Sequence, residues 1–265
     1  MACLIVGVLN VTPDSFSDGG QLASVDAAVD AGVRMAEQGA NWIDVGGEST
    51  RPRATVVPED EERARVLPVI EGLRRRLSPS TRISIDTYKA GTARAAVAAG
   101  ASVINDVSGG LLEPDILRVA AETGAGIVLG HLRGAPATMM DGIAFQDVVA
   151  EVTEELRARI AAARAAGCYE TWADPGIGFG KRLEHSLAVL NQLPRLVKDL
   201  DVPIMVGVSR KSFIGQLTGK PAGERLFGTA AAVAAAVLGG AAAVRVHDVA
   251  QMRDVVQVAR ALADL

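Results

Sequence analysis

The segment "SVDAAVDAGVRMAEQGANWIDVG", residues Ser24–Gly46, contains the pattern on which the fold of this chain depends. Its first part places apolar side chains at helical spacing, and Gly39 follows that stretch just before the short apolar run "WIDVG" at Trp42. A glycine in this place is typical of a left-handed helix C-cap that leads into a strand. The segment therefore predicts a helix that is joined to a strand by a short loop.

The same pattern recurs along the whole chain, and glycines at 100, 124, 167 and 240 precede later strand-like runs in the same way. Eight such runs occur: "CLIVGVL" at Cys3, "WIDVG" at Trp42, "RISID" at Arg82, "SVIND" at Ser102, "GIVLG" at Gly126, "TWADP" at Thr171, "PIMVGV" at Pro203 and "AAVRV" at Ala242. Eight strands that alternate with about eight helices can form a closed (β/α)₈ barrel or an open doubly wound sheet. The number of strands favours the barrel. We therefore predict an α/β protein with one (β/α)₈ TIM-barrel domain over residues 1–265.

Composition and charge exclude several classes of protein. The chain has 27 Lys and Arg against 31 Asp and Glu, a net charge of −4, and no dense basic segment, which argues against nucleic acid as a partner. The two cysteines, Cys3 and Cys168, lie far apart, so the sequence indicates neither a disulfide framework nor a zinc site. This use of cysteine is typical of a reducing compartment.

Membrane insertion is also not expected. The N-terminal apolar run has no basic flank, and the longest apolar stretch, residues Ala230–Val244, is rich in Ala and Gly and too short to span a bilayer. We expect a soluble, cytoplasmic protein without a membrane partner.

Polar side chains follow every predicted strand. In a (β/α)₈ barrel the active site forms where the strands end, so these residues are expected to converge. Each residue taken singly is as well explained as the cap of the following helix. Together, carboxylates, amides, cations and a histidine indicate an enzyme site for a polar, partly anionic ligand. The residues are Asn10, Glu48, Thr50, Arg51, Asp86, Asn105, Asp106, His131, Arg133, Asp174, Ser209, Arg210, Lys211, Ser212, Arg245 and His247.

Three other functional patterns are weak in this sequence. The segment "GIGFGK", residues Gly176–Lys181, lacks the spacing of either common phosphate-binding loop. The three histidines do not pair at metal-ligand spacing, and no "GxSxG" nucleophile motif is present. A hydrolase or a nucleotide-binding protein is therefore not favoured.

A set of longer motifs resembles a known family. The chain contains "GVLNVTPDSFSDGG", "DVGGESTRP", "SIDTYKA", "INDVSGG", "DPGIGFGK", "VGVSRKSFIG", "GTAAAVAAA" and "RVHDV" in that order. In order and spacing these motifs resemble the dihydropteroate synthases of the pterin-binding barrel family, from about Val6 to Val249. The resemblance implies a (β/α)₈ transferase of folate biosynthesis, which joins 6-hydroxymethyl-7,8-dihydropterin diphosphate to p-aminobenzoate and releases diphosphate.

The resemblance also implies a site. Asp174 would accept the paired N–H donors of the pterin edge, a geometry that suits a carboxylate. Mg²⁺ held by Asn10 would stabilise the leaving diphosphate, which departs before the amine attacks. The other implied residues are Asp86, Asn105 and Lys211 around the pterin, Arg51, Arg245 and His247 on the diphosphate, Phe16, Asp18, Pro52, Phe179 and Ser212 around the aminobenzoate, and Thr50 as a further substrate-binding residue.

Two departures from the family pattern bear on the pocket. Gly130 stands where the family usually has Met, which would open space beside the pterin, and Arg53 replaces a glycine of the second loop. Both put substrate affinity and the response to sulfonamides in question. The alternatives are a pterin-binding methyltransferase, which would not need the phosphate-side cations, and a catalytically silent pterin-binding paralogue. The Ala-rich segment after Gly228 and the habit of the family suggest a homodimer.

Overall fold

The eight apolar runs form eight parallel strands, which the computed structural model describes within residues 3–11, 25–50 and 54–263. Short, fully buried aliphatic strands of this kind are typical of a parallel sheet with both faces covered. The strands are β1 Leu4–Asn10, β2 Trp42–Gly46, β3 Arg82–Asp86, β4 Val103–Asp106, β5 Gly126–Gly130, β6 Thr171–Asp174, β7 Met205–Gly207 and β8 Ala243–Val246. All eight strands predicted from the sequence are confirmed.

Helices connect the strands and cover the outside of the sheet. The described residues form ten α-helices where about eight were predicted, partly because Pro194 lies in the first turn of a helix that restarts after Gln192. They are α1 Val25–Glu37, α2 Glu59–Arg76, α3 Ala90–Ala98, α4 Asp115–Thr123, α5 Val148–Ala165, α6 Leu183–Asn191, α7 Leu193–Leu200, α8 Ser212–Thr218, α9 Leu226–Leu238 and α10 Val249–Ala263. In the part of the chain that is described, none of them combines the length and apolar character needed to cross a membrane.

The sheet closes into a barrel. Its order is β6-β5-β4-β3-β2-β1-β8-β7, and a parallel bridge between Ala173 and Ile204 joins the two ends. The five glycines that precede strands all have positive φ, as the sequence predicts; Gly124, at φ 71°, is the left-handed C-cap of α4. These caps let each helix turn directly into the next strand.

The inside of the barrel has an apolar layer below a polar layer. Trp42 of β2 and Trp172 of β6 lie on strands that are not neighbours, yet their rings are 5.1 Å apart, so both point into the barrel. The apolar layer consists of Val6, Trp42, Val103, Val128, Trp172, Met205 and Ala243. Since strand residues alternate between faces, positions two residues later point inward as well. They include Asp44, Asn105, Gly130, Asp174, Gly207 and Arg245, which form the floor of the site.

Candidate active site

A pocket opens above the polar layer, at the carboxyl ends of the strands. Its lining brings together seven of the residues that the sequence analysis assigned to the site, from loops and strands all around the barrel. These are Thr50, Asp86, Asn105, Asp174, Phe179, Lys211 and Arg245, and the pocket is completed by Val107, Gly130, Gly176 and Gly207. The location agrees with the rule that (β/α)₈ sites lie at this face.

Arg245 lies within β8 and forms ion pairs across the barrel. Its Nε donates to Asp44 Oδ2 at 2.6 Å, and a terminal nitrogen donates to Asp86 Oδ2 at 2.6 Å. Asp44 is fully buried and also accepts from Ser84 Oγ at 2.6 Å and from Asn105 Nδ2 at 3.0 Å. Arg245 therefore holds two carboxylates in place at the floor of the pocket.

Asp44 is a site residue that the sequence analysis missed. The analysis considered the residues that end each strand, whereas Asp44 lies in the middle of β2, two residues after Trp42. A charged residue inside an otherwise apolar strand was the available signal, because such a side chain is rarely buried without a partner.

Asp174 and Lys211 are a second pair of opposite charges in the pocket, and both side chains are half-buried in its wall. Asp174 Oδ1 accepts from the Gly176 N–H at 2.7 Å, and burial raises the pKa of this carboxyl while the nearby Lys211 charge opposes the rise. Lys211 Nζ donates to the Ile177 carbonyl at 2.7 Å and lies 3.7 Å from the centre of the Phe179 ring. Burial lowers the pKa of Lys211 to about 8. The Asp174 carboxylate can therefore accept from a ligand that presents adjacent N–H donors, whereas Lys211 can donate to an acceptor atom of the same ligand.

The carboxylates of the floor favour a ligand that donates hydrogen bonds to it. Among the described residues, Asp44, Asp86 and Asp174 lie near the cations Arg245, Lys211 and Lys181. Burial and the neighbouring Asp44 charge raise the pKa of Asp86 to about 7, although the Arg245 guanidinium opposes the rise. Carboxylates that accept from N–H groups make stronger hydrogen bonds than neutral acceptors do.

Three residues that the resemblance assigns to the site, Asn10, His247 and Ser212, lie outside the pocket lining. The same holds for six others that follow strands, namely Glu48, Asp106, His131, Arg133, Ser209 and Arg210. Asn10 is the last residue of β1, and a Cβ built on Gly46 would be 3.7 Å from its Oδ1. His247 follows β8, and its Nδ1 is 2.9 Å from the Oγ of Ser209, which follows β7. His247 and Arg245 therefore point to different places, because Arg245 reaches the floor of the barrel. Ser212 begins α8 and is exposed.

The remaining sequence-based assignments fall on parts of the chain outside the described residues. They are Phe16 and Asp18 of the first loop and Arg51, Pro52 and Arg53 of the second loop. Their roles stay predictions.

The expectation that Gly130 opens space in the pocket is wrong. A Cβ at this position would lie 2.5 Å from the carbonyl oxygen of Val107, so main chain occupies the place of a side chain. The carbonyl of Gly130 also accepts from Arg159, which fixes this end of β5. The glycine is needed because the Val107 peptide approaches so closely.

The base of the second loop is anchored by a buried ion network. Lys89 Nζ donates to Glu48 at 2.5 Å and to Glu62 at 2.8 Å, and all three side chains are less than 9% exposed. Glu48 also accepts from the Tyr88 hydroxyl at 2.9 Å and from the Val57 N–H at 3.1 Å. The network joins both sides of the loop to α2 and to the start of α3, and thereby supports Thr50 at the pocket.

The chemistry of Asn10 is compatible with magnesium. Mg²⁺ prefers hard oxygen ligands and commonly combines one or two protein oxygens with substrate phosphates and water. The Asn10 amide oxygen is such a ligand. It lies at the end of β1, beside Gly46 of β2, and the Asp86 carboxylate lies beside the same glycine. Among the residues that the structure describes, no cluster of three or more His, Cys, Asp or Glu forms a protein-only metal site.

Comparisons with known proteins point to one family. The model of the pterin binding enzyme family matches residues 6–247. Dihydropteroate synthase of Synechocystis is 46% identical, over 97% of this chain and 89% of that protein, and the Escherichia coli K12 enzyme is 43% identical over 97% and 90%. The Yersinia pestis dihydropteroate synthase in complex with a sulfonamide drug superposes with a TM-score of 0.94 at 39% identity, covering 100% of this chain and 95% of that one. The Xanthomonas albilineans enzyme with 4-aminobenzoic acid gives 0.92 at 45% identity, covering 100% and 94%. Because the family model and these relatives match nearly its whole length, the chain belongs to the pterin-binding enzyme family.

Proposed function

We propose that this chain is a dihydropteroate synthase, which condenses 6-hydroxymethyl-7,8-dihydropterin diphosphate with p-aminobenzoate to give 7,8-dihydropteroate and diphosphate. The observation that carries the proposal is the presence of the opposite charges of Asp174 and Lys211 together in the lining of one pocket. The similarity to enzymes of that name supports it, since structures of the Xanthomonas albilineans protein contain 4-aminobenzoic acid in one case and 7,8-dihydropteroate in another.

The pterin ring fits the floor of the pocket chemically. Its 2-amino-4-oxo edge presents neighbouring N–H donors, which a carboxylate can accept as a pair. Asp174 is the proposed acceptor, with the Asn105 amide and Asp86 on the adjoining strands. Arg245 acts on the ring side of the site, because its ion pairs fix Asp86 and Asp44 where the ring would lie.

The reaction breaks the C–O bond to diphosphate and forms a C–N bond to the aromatic amine, which loses one proton. We propose an ionising path in which diphosphate leaves first, so that negative charge develops on its oxygens. Lys211 is the described cation of the pocket wall, and His247 and Arg51 are proposed to complete the phosphate side. Bound Mg²⁺, held by Asn10, would supply further neutralisation of the diphosphate charge. No side-chain nucleophile is required.

The experiment compares the wild-type protein with the variants Asp174→Asn and Asp254→Asn. Asp254 is exposed on α10 and serves as the matched control. Wild-type protein with the pterin diphosphate, p-aminobenzoate and Mg²⁺ should release diphosphate and dihydropteroate. The loss of a charge-assisted hydrogen bond costs about 1.5–3 kcal/mol, so Asp174→Asn should weaken pterin binding at least tenfold in calorimetry. Absence of product from the wild-type protein would contradict the proposal.

We further propose a homodimer that forms through α9. The exposed positions of this helix are all apolar, namely Phe227, Ala231, Ala235 and Leu238, and Phe227 is 82% exposed. An exposed apolar stripe of this kind favours a protein partner. Light scattering should give the mass of a dimer, and Phe227→Glu should give a monomer.

A cytoplasmic location is proposed as well, supported by two cysteines that are free thiols.

A further inference from the structure

Lys181 is a buried lysine beside the pocket whose side chain does not line it. It is 3% exposed, and its Nζ contacts His131 Nδ1 at 2.8 Å, the Gly176 carbonyl at 3.1 Å and the Phe179 carbonyl at 3.2 Å. Burial lowers the pKa of Lys181 to about 7, and the nearby Asp174 charge opposes the fall. In its ammonium form the group has three donors, and these three acceptors satisfy all of them. Lys181 therefore closes the turn formed by residues 175–181 from the inside.

His131 connects Lys181 to the helix layer. The ring is 1% exposed, and its Nε2 is 3.0 Å from Glu155 Oε2 on α5. Burial lowers the pKa of His131 to about 3, so the ring is neutral. Because Nδ1 accepts from Lys181, the ring proton is on Nε2 and is donated to Glu155. The carboxylate, the imidazole and the ammonium thus form one directed chain of hydrogen bonds.

The turn that Lys181 closes holds both members of the charged pair in the pocket. The Gly176 N–H binds Asp174 Oδ1, and the Ile177 carbonyl accepts from Lys211. Gly176 has φ 65°, and a Cβ there would collide with the His131 carbonyl, so the turn lies directly against β5. A change in this turn would therefore move the Asp174 carboxylate and the Lys211 ammonium together.

We propose that Lys181 is a positioning residue for pterin recognition, which acts through the chain Glu155–His131–Lys181 to fix the turn that orients Asp174 and Lys211. The inference rests on the proposed function for the identity of the ligand. The contacts of Lys181 with the turn do not depend on which ligand binds. The alternative is a lysine that stabilises the fold without an effect on the pocket.

The first test measures pterin binding and kinetics in Lys181→Met, with Lys220→Met as control because Lys220 is exposed. If Lys181 orients Asp174, the affinity for a pterin that lacks diphosphate should fall about tenfold or more, and KM for the pterin diphosphate should rise while kcat changes little, as expected when ground-state binding is lost. A lower Tm with unchanged pterin affinity and KM would overturn the proposal. Failure of the wild-type protein to bind pterin would overturn the proposed function as well.

The second test uses two substitutions of His131 and does not depend on the stability of the lysine variant. His131→Asn places an amide oxygen near the position of Nδ1 and can still accept from Lys181. His131→Gln places its amide near Nε2 and keeps the contact with Glu155 instead. We expect His131→Asn to retain more pterin affinity than His131→Gln, and the difference to disappear in the Lys181→Met background. Equal affinities of the two single variants would contradict the chain.

Discussion

Replacement of Arg245 by Met tests whether its main role is to hold the carboxylates of the pocket floor. The change removes the guanidinium that pairs with Asp44 and Asp86 and keeps a side chain of similar length. Breaking a buried ion pair costs about 3–5 kcal/mol. The lower end applies here, because Asp44 keeps two donors and because burial already raises the pKa of Asp86 to about 7, so that it can take up a proton. A loss of about 3 kcal/mol lowers the Tm of a chain of this size by roughly 6–12 °C.

The assay combines thermal unfolding, calorimetry with a pterin that lacks diphosphate, and turnover. A matched control is Arg76→Met, since Arg76 of α2 pairs with Asp30 of α1 on the outside of the barrel, where the two side chains are 49% and 47% exposed. Exposed pairs contribute at most about 1 kcal/mol. We expect Arg245→Met to lose stability and pterin affinity together, and Arg245→Met with Asp44→Asn to recover part of the stability. Wild-type Tm and pterin affinity with a large loss of kcat would refute this reasoning and assign Arg245 to the leaving group.

Three further predictions follow from the pocket and its supports. Gly130→Ala should weaken pterin binding in calorimetry, because a Cβ would displace the Val107 peptide that lines the pocket; unchanged affinity would show that this peptide yields without consequence. Binding of the pterin diphosphate should take up protons above about pH 7.5, because the bound anion raises the lowered pKa of Lys211. The affinity for the pterin diphosphate is then full at low pH, and it falls as the pH rises through the pKa of Lys211 in the bound state. Calorimetry in two buffers with different ionisation enthalpies measures this uptake, and equal heats in both buffers would exclude it. Lys89→Met should lower the free energy of unfolding by about 3–5 kcal/mol, because it leaves two buried carboxylates without their cation, and urea titration would reveal an unaltered midpoint if the network were unimportant.

The fold was accessible from the sequence because its strands are short, apolar and separated by helices that end in glycine. These features are local, and each can be recognised within a window of about fifteen residues. The division of the region after Leu183 into two helices was not predicted, although Pro194, which lies in the first turn of α7, was the available local signal.

The site was predictable at the ends of the strands and not in the interior. Four residues of the pocket lie at the ends of apolar runs, so their positions in the chain indicate that they meet at one end of the barrel. They are Asp86, Asn105, Asp174 and Lys211. The partners of Arg245 come from strands on other sides of the barrel, and no local pattern pairs residues so far apart in sequence. Lys181 was passed over in the same way, because its role depends on contacts with β5 and α5.

The barrel closes through few main-chain contacts between β6 and the segment of β7, and a ligand in the pocket can therefore affect how readily these strands open to solvent. Four register pairs join β5 to β6, whereas β6 meets the β7 segment at the bridge between Ala173 and Ile204, and Asp174 follows directly. Main-chain amides beside such a narrow junction open to solvent at a lower free energy than those of the central strands. A ligand that contacts Asp174 after β6 and Lys211 after β7 would connect the two strands across this junction. Substrate occupancy should then slow hydrogen exchange along β6 and β7, down to amides that no ligand atom reaches.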